Sequence, residues 1–190
     1  MAYHSGLKGW DVQNSAPLNE YQIGDSIAFR HDIMDEYPEI YKECDFIYGE
    51  PPWIAGAKIF DERAGISGRK FTDLTQRISD LIESLTIPIV LTAGAWGLKM
   101  LPKADYAIDA NIKTSAIGKC HILYYRTEVL DSENLISQVV EKGNVIGDWF
   151  CGYGNLAIEA HKQGKRFIVS DYNAECIGYI GKTFDEMEQE

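Results

Sequence analysis

The sequence lacks the features that mark membrane, secreted and metal-binding proteins. No apolar run approaches the roughly 20 residues of a membrane span. The N-terminus lacks the basic start and the apolar stretch that are typical of a signal peptide. The four cysteines form no Cys-x-x-Cys pair, which argues against a zinc ribbon or a disulfide scaffold. The four histidines show no metal-binding spacing. We therefore expect a soluble cytoplasmic protein that holds no metal.

Linkers and repeats are absent as well. The 190 residues contain no internal repeat, low-complexity tract or Pro/Gly-rich linker, and 45% of them are hydrophobic against 25% charged, as in an ordinary globular domain. The sequence thus predicts a single domain over residues 1–190, in which 1–19 form a looser N-terminal segment. It leaves no room for a separate target-recognition domain.

Positive charge is scarce. The formal net charge is −11, which argues against a protein that coats nucleic acid by charge alone. Residues 94–127 are the exception, with five basic and two acidic side chains. A solvated surface explains most of this pattern, but only the middle third of the chain would tolerate an anionic partner.

Short apolar runs alternate with amphipathic stretches, which predicts β/α units around a mostly parallel sheet. Residues 106–112 and 120–125 predict an antiparallel hairpin. The other predicted strands are 21–23, 45–48, 88–92, 144–148 and 166–170. The predicted helices are 26–43, 73–85 (capped by Thr72), 95–101, 132–142, 156–163 and 173–187.

A glycine-containing turn follows the predicted strand 144–148. Asp148 ends the strand, and Gly152 and Gly154 let the backbone curl close to a ligand, while the next helix offers free N–H groups. Asp171 ends the following strand 19 residues after Gly152, where an acidic residue of nucleotide-binding β-α-β units binds ribose hydroxyls. No Lys or Arg lies in the turn, which disfavours a phosphate. We favour ligand binding over a plain strand–turn–helix connection.

A rigid turn follows the predicted strand 45–48. Pro51 and Pro52 fix its backbone and have no N–H, so their carbonyl groups are unopposed hydrogen-bond acceptors. Glu50 adds a carboxylate acceptor and Trp53 a flat stacking surface. Such a set suits the exocyclic amino group of a base that has left its helix. The alternative is a rigid turn beside a core tryptophan.

Together the two turns resemble the motifs of the amino-methyltransferases that use S-adenosylmethionine (SAM) to methylate N6 of adenine or N4 of cytosine. The catalytic motif of that family is Asp/Asn/Ser-Pro-Pro-Tyr/Phe/Trp, and its cofactor loop is Asp-x-Phe-x-Gly-x-Gly. Here they read Glu50-Pro51-Pro52-Trp53 and Asp148-Trp149-Phe150-Cys151-Gly152-Tyr153-Gly154. The catalytic motif lies upstream of the cofactor loop, as in the circularly permuted β-type order. The resemblance covers residues 20–185.

This resemblance implies an α/β fold with a Rossmann-like, seven-stranded methyltransferase sheet, in which the hairpin at 106–125 is the final antiparallel pair. It implies SAM as the cofactor and an active site built from a catalytic set and a cofactor-binding set of residues. The implied catalytic set is Glu50, Pro51, Pro52 and Trp53. The implied cofactor-binding set is Asp148, Phe150, Gly152, Gly154, the ribose-binding Asp171, and Gly24 with Asp25 as the strand-end pair at the adenosine.

The implied activity is methylation of an exocyclic amino group in DNA, with adenine N6 preferred over cytosine N4. The loop from Ile54 to Lys70 would contact phosphates beside the catalytic turn, unless it is simply solvated. Its basic residues are Lys58, Arg63, Arg69 and Lys70. The small size fits a phage or mobile-element protein.

The sequence departs from the family at Glu50, which stands where Asp, Asn or Ser is usual, and it lacks the Lys-Pro pair upstream of the cofactor loop. A catalytically silent methyltransferase-like subunit that binds cofactor or a partner protein is therefore the main alternative. A methyltransferase acting on RNA or on a small molecule is the third hypothesis. A partner subunit or a homodimer is compatible with each.

Overall fold

The computed structural model describes residues 15–52, 57–58, 61–62, 65–110 and 120–189. Eight strands within these residues form one sheet in the order β1-β2-β8-β7-β3-β4-β6-β5. They are β1 (Glu20–Ile23), β2 (Ser26–Arg30), β3 (Phe46–Gly49), β4 (Ile89–Gly94), β5 (Tyr106–Ala110), β6 (Cys120–Tyr125), β7 (Val145–Asp148) and β8 (Arg166–Asp171).

The centre of the sheet is parallel, as predicted. Strands β2, β8, β7, β3 and β4 run side by side in one direction. The predicted hairpin is confirmed as β5 and β6 at one edge of the sheet, where β6 pairs antiparallel with β4 and β5 pairs antiparallel with β6. Strand β1 pairs antiparallel with β2 at the other edge. The seven predicted strands are thus present as β1 and β3 to β8, and β2 is an eighth strand that was not predicted.

The helix predicted over 26–43 is wrong. Its first part is the strand β2, and its last part is a 3₁₀ helix at Glu39–Glu43. Ser26 and Ala28 are buried while Ile27 and Phe29 are half-buried, which is the two-residue period of a strand. The chain reverses at Gly24, whose φ of 55° suits the tight turn between β1 and β2.

Helices cover both faces of the sheet, which gives the three-layer arrangement of an α/β fold. On one face α3 (Leu135–Lys142), α4 (Asn155–Lys162) and α5 (Ala174–Met187) bury a core that includes Val139, Leu156 and Ile177. On the other face α1 (Phe71–Ser84), the short helix α2 (Gly97–Met100) and the 3₁₀ helix bury a core that includes Ile78 and Tyr41.

The helix ends follow the local chemistry with two exceptions. Thr72 lies inside α1, which begins one residue earlier and has no side-chain cap. Helix α3 begins at Leu135 rather than at 132, because the Asp131 carboxylate accepts the Glu133 N–H (3.0 Å) and forms a local turn. Asn173 caps α5 by accepting the Glu175 N–H at 3.0 Å.

The described part of the N-terminal segment, residues 15–19, is tied to α5 through the Leu18 N–H, which donates to the Ala174 carbonyl at 3.0 Å. Of the helices in the described ranges, none combines the length and the apolar character needed to cross a bilayer.

Candidate active site

The two predicted turns meet at the carboxyl ends of β3 and β7. From β7 the chain passes through α4 to β8 on one side, and from β3 it passes through α1 to β4 on the other. Ligands of open α/β sheets bind where the connections diverge in this way. Tyr48 pairs directly with Asp148 across the two strands, so the Glu50 turn and the glycine turn begin next to each other.

The start of the glycine turn is fixed from inside the protein. The Asp148 side chain is buried, and its carboxylate accepts the Phe150 N–H at 2.9 Å. The Asp148 carbonyl accepts the hydroxyl proton of the buried Tyr41 at 2.8 Å, and the same hydroxyl lies 2.7 Å from Ser170 Oγ. Strands β7 and β8 are thereby joined beneath the turn.

The Phe150 ring fills the space between the two turns. A Cβ placed on Gly49 would lie 3.3 Å from this ring and 2.9 Å from a methyl carbon of Leu91, so any larger residue immediately before Glu50 would force the Leu91 side chain to shift. In the described structure the ring therefore supports the junction of the two turns. Its contact with a cofactor stays a prediction.

Asp171 links the glycine turn to the end of β8. Its carboxylate accepts the Gly152 N–H at 3.0 Å and the Asn173 N–H at 2.9 Å. Gly152 has a φ of 49° and Gly154 a φ of 77°, in the left-handed region that glycine adopts at little cost. The spacing between Gly152 and Asp171 thus produces a direct contact, with the acid positioned by two backbone donors.

Three acidic groups end three adjacent strands at this edge, and each has a raised pKa. Burial raises the pKa of Glu50 to about 7. Burial, together with the charges of Glu50 and Asp171, raises the pKa of Asp148 to about 8. The hydrogen bond from the Phe150 N–H acts in the opposite direction. Burial also raises the pKa of Asp171 to about 6, although its two N–H donors act in the opposite direction. Among the described residues no basic side chain offsets these shifts.

Gly24 and Asp25 do not reach this site. They form the turn that precedes β2, and β2 runs parallel to β8, so they lie beside Arg166 at the start of β8. The Asp25 carbonyl accepts from Arg166 Nε at 2.6 Å. The six residues of β8 separate this turn from Asp171, which ends the same strand. The structure therefore does not bring Gly24 and Asp25 together with Asp171, because the parallel strand follows Asp25 rather than preceding it, and no observation supports their predicted contact with adenosine.

Three residues that sequence reasoning missed lie at the site edge. His31 and Asp32 follow β2, and the His31 N–H donates to the Asp171 carbonyl at 3.0 Å. Cys120 begins β6 opposite Gly94, and burial raises the pKa of its thiol, to which the charge of Glu50 adds. No clear sequence signal marked these residues, because the consecutive apolar residues Ile27, Ala28 and Phe29 hid the strand that places His31 and Asp32.

Of the four basic loop residues predicted to contact phosphates, Lys58 and Lys70 are exposed in the described structure. Lys58 has its Nζ 3.8 Å from Glu62, and Lys70 lies just before α1. Arg69 instead turns inward and pairs with Asp32 and Asp61, so both carboxylates would compete with a phosphate for its guanidinium. Trp53 and Arg63 lie outside the described residues.

Solved structures share this fold. The crystal structure of the M1.HpyAVI–SAM complex matches with a TM-score of 0.51 and 13% identity, over 82% of this chain and 98% of that one. The crystal structure of M1.HpyAVI matches with a TM-score of 0.51 and 12% identity, over 83% and 98% of the two chains. Neither a protein-family model nor a curated protein sequence matches the chain. The α/β architecture is thus the Rossmann-like methyltransferase fold.

Proposed function

We propose that the protein is a SAM-dependent methyltransferase with its site at the carboxyl ends of β3, β7 and β8. The observation that carries this proposal is the placement of the Glu50-Pro51-Pro52 turn directly beside the turn from Asp148 to Gly154 at the switch point of the sheet. A methyl donor and an amine acceptor must lie this close for transfer. M1.HpyAVI, whose fold is similar, has a structure in complex with SAM.

The residues present fit SAM. Nothing lies within 4 Å of the position that a Cβ would take on Gly152, so a ligand can approach the backbone there. Asp171 is fixed by two N–H donors and keeps further lone pairs for the ribose hydroxyls. The carboxyl groups of the buried Asp148 and the half-buried Glu50 have raised pKa values and favour a ligand that brings positive charge, as the sulfonium and ammonium groups of SAM do.

We propose an exocyclic amino group of a nucleic-acid base as the acceptor, with adenine N6 in DNA as the leading substrate. Bound SAM supplies an electrophilic methyl group. The Glu50 carboxylate and the Pro51 carbonyl would accept the two amine N–H bonds and so turn the nitrogen lone pair outward. Trp53 would stack on the base. Glu50, with a pKa near 7, can then hold the proton that the amine gives up.

A catalytically silent subunit is the second candidate, and Glu50 is the observation that favours it. Its carboxylate is one methylene farther from the backbone than that of aspartate, and a displacement of about 1 Å can lower a rate about 10²-fold. The pairing of Arg69 with two carboxylates also removes one cation from the predicted phosphate contacts. RNA and small amines remain alternative acceptors for an active enzyme.

Cofactor binding is tested with Asp171→Ala in isothermal titration calorimetry with SAM. We expect a loss of about 10- to 100-fold in affinity, because hydrogen bonds to a charged acceptor contribute about 1.5–3 kcal/mol. Glu83→Gln, on the exposed end of α1, is the matched control and should bind as the wild type does. Equal affinity of Asp171→Ala and wild type would reject the assignment of Asp171.

Activity is tested by transfer of tritiated methyl from SAM to duplex DNA, single-stranded DNA and RNA in parallel. Incorporation into duplex DNA, with most of the rate lost in Glu50→Ala, is the result expected of the leading proposal. If the wild type is inactive on all three and Glu50→Asp gains activity, the silent-subunit candidate is correct. Incorporation into RNA alone would move the substrate to that polymer.

A further inference from the structure

Arg69 lies in the segment 61–70, which follows the Glu50 turn. It connects this segment to the strand ends on the cofactor side of the site. Its guanidinium pairs with Asp32, which follows β2, and its Nη1 lies 3.3 Å from Oδ1 of Asp61 in its own segment. The three side chains are only 12%, 19% and 13% exposed for Arg69, Asp32 and Asp61. We call these three residues the Arg69 clamp.

The clamp lies next to the residues that fix the glycine turn. The Arg69 guanidinium carbon is 5.7 Å from the centroid of the Tyr172 ring, and Tyr172 directly follows Asp171. The Tyr172 carbonyl accepts from Arg30 Nε at 3.2 Å. The charge of Asp32 also contributes to the raised pKa of Asp171. Arg69 therefore reaches the side of the site opposite to Glu50.

Both partners of Arg69 are themselves held in place. The Asp61 carbonyl accepts the Ile66 N–H at 2.8 Å, which closes the segment on itself. Arg77 of α1 donates to the Ile33 carbonyl at 2.9 Å and to the Asp35 carbonyl at 2.7 Å, which fixes the turn after Asp32. A largely buried guanidinium between two anchored carboxylates is a geometrically specific link rather than a loose surface ion pair.

We propose that Arg69 is a positioning residue, which holds the segment after the Glu50 turn against the strand end of Asp171 and so sets the separation between the amine-accepting turn and the cofactor turn. This inference rests on the proposed function. The contacts of Asp171 with Gly152 and Asn173 are made by backbone groups and do not pass through Arg69. The clamp should therefore govern the rate of transfer more than the affinity for SAM.

The test compares Arg69→Ala with Arg166→Ala, whose guanidinium pairs with Glu43 at the other end of the sheet. In methyl-transfer kinetics we expect Arg69→Ala to lower kcat by about 10- to 100-fold, with the KM for SAM within about threefold of wild type. Arg166→Ala should retain the wild-type kcat. An unchanged kcat in Arg69→Ala, or a tenfold rise in KM at constant kcat, would overturn the positioning role.

Asp61→Asn is the second variant, in case Arg69→Ala does not fold. It keeps the pair of Arg69 with Asp32 and removes only the negative charge of Asp61, which weakens its contact with Arg69. We expect a smaller fall in kcat, about three- to tenfold, again without a matching change in KM. A wild-type kcat in Asp61→Asn would overturn the role of this contact in the clamp.

Hydrogen–deuterium exchange separates failure of the clamp from failure of the proposed function, because it needs no turnover. Arg69→Ala should speed exchange of the amides in 65–70 and of Glu50, and Arg166→Ala should not. If the wild type transfers no methyl group but these amides respond, the clamp stands and the proposed function fails. If the amides do not respond, the clamp is overturned whatever the activity.

Discussion

Glu50→Gln is expected to stabilise the ligand-free protein at alkaline pH while impairing transfer. Burial raises the pKa of Glu50 from 4.5 to about 7. Between these values the folded protein keeps the proton and the unfolded chain loses it, so the folding stability due to Glu50 falls as the pH rises from about 4.5 to 7. Glutamine has no proton to lose and removes this part of the pH dependence.

The size of the effect follows from the shift in pKa. Each pKa unit corresponds to about 1.4 kcal/mol, so a shift from 4.5 to about 7 gives an upper limit of about 3 kcal/mol. Water entering the site and a proton on neighbouring Asp148 would relieve part of it, and we expect about 1–3 kcal/mol at pH 8.5. At pH 5 the difference should fall below about 1 kcal/mol.

Urea unfolding of wild type, Glu50→Gln and Glu83→Gln at pH 5 and 8.5, without cofactor, measures this difference. The free energy of unfolding that Glu50→Gln gains over wild type should grow with pH. At pH 8.5 the expected gain corresponds to a rise of about 3–10 °C in Tm for a domain of this size. Glu83→Gln should follow the wild type at both pH values. A Glu50→Gln variant that gains nothing between pH 5 and 8.5 would show that the Glu50 carboxyl is well solvated.

Three further substitutions test the support of the glycine turn. Gly154→Ala should destabilise the fold by about 2–3 kcal/mol in urea unfolding, because its Cβ would lie 2.6 Å from Ile180 Cγ1 at a left-handed φ. Gly152→Ala meets no atom within 4 Å and should cost only about 1 kcal/mol, but calorimetry should show weaker SAM binding. Tyr41→Phe should cost about 1–3 kcal/mol, since it leaves the Asp148 carbonyl without its buried donor.

The parts of the fold that could be predicted are those in which one short stretch carries the whole signal. The glycine turn lies between an apolar strand and an amphipathic helix, and each is visible within a few residues. Asp171 could be placed by counting from Gly152 because the intervening helix and strand have standard lengths. The hairpin of β5 and β6 was predicted for the same reason, from two runs of strand-forming residues.

The errors arose where a short strand and distant contacts decide the structure. In β2 the apolar Ile27, Ala28 and Phe29 are consecutive, which hid the two-residue period behind an apparent helix face. It also hid that the turn at Gly24 leads into β2 and lies beside Arg166, at the end of β8 opposite to Asp171. The inward turn of Arg69 depends on Asp32, 37 residues earlier, and no local pattern predicts such a pair.

The acidic edge connects the stability of the protein with the ligand that it is expected to take. Glu50, Asp148 and Asp171 are held close together by three neighbouring strands, and the pKa of each is raised because its carboxyl group is shielded from water and has no cationic partner within the described residues. A cationic ligand would lower all three pKa values, and so would release protons as it binds. An anionic ligand would raise them further and bind against the field of the site. The same buried charges that weaken the empty protein at high pH therefore favour a sulfonium-bearing ligand over a phosphate-bearing one at this edge of the sheet.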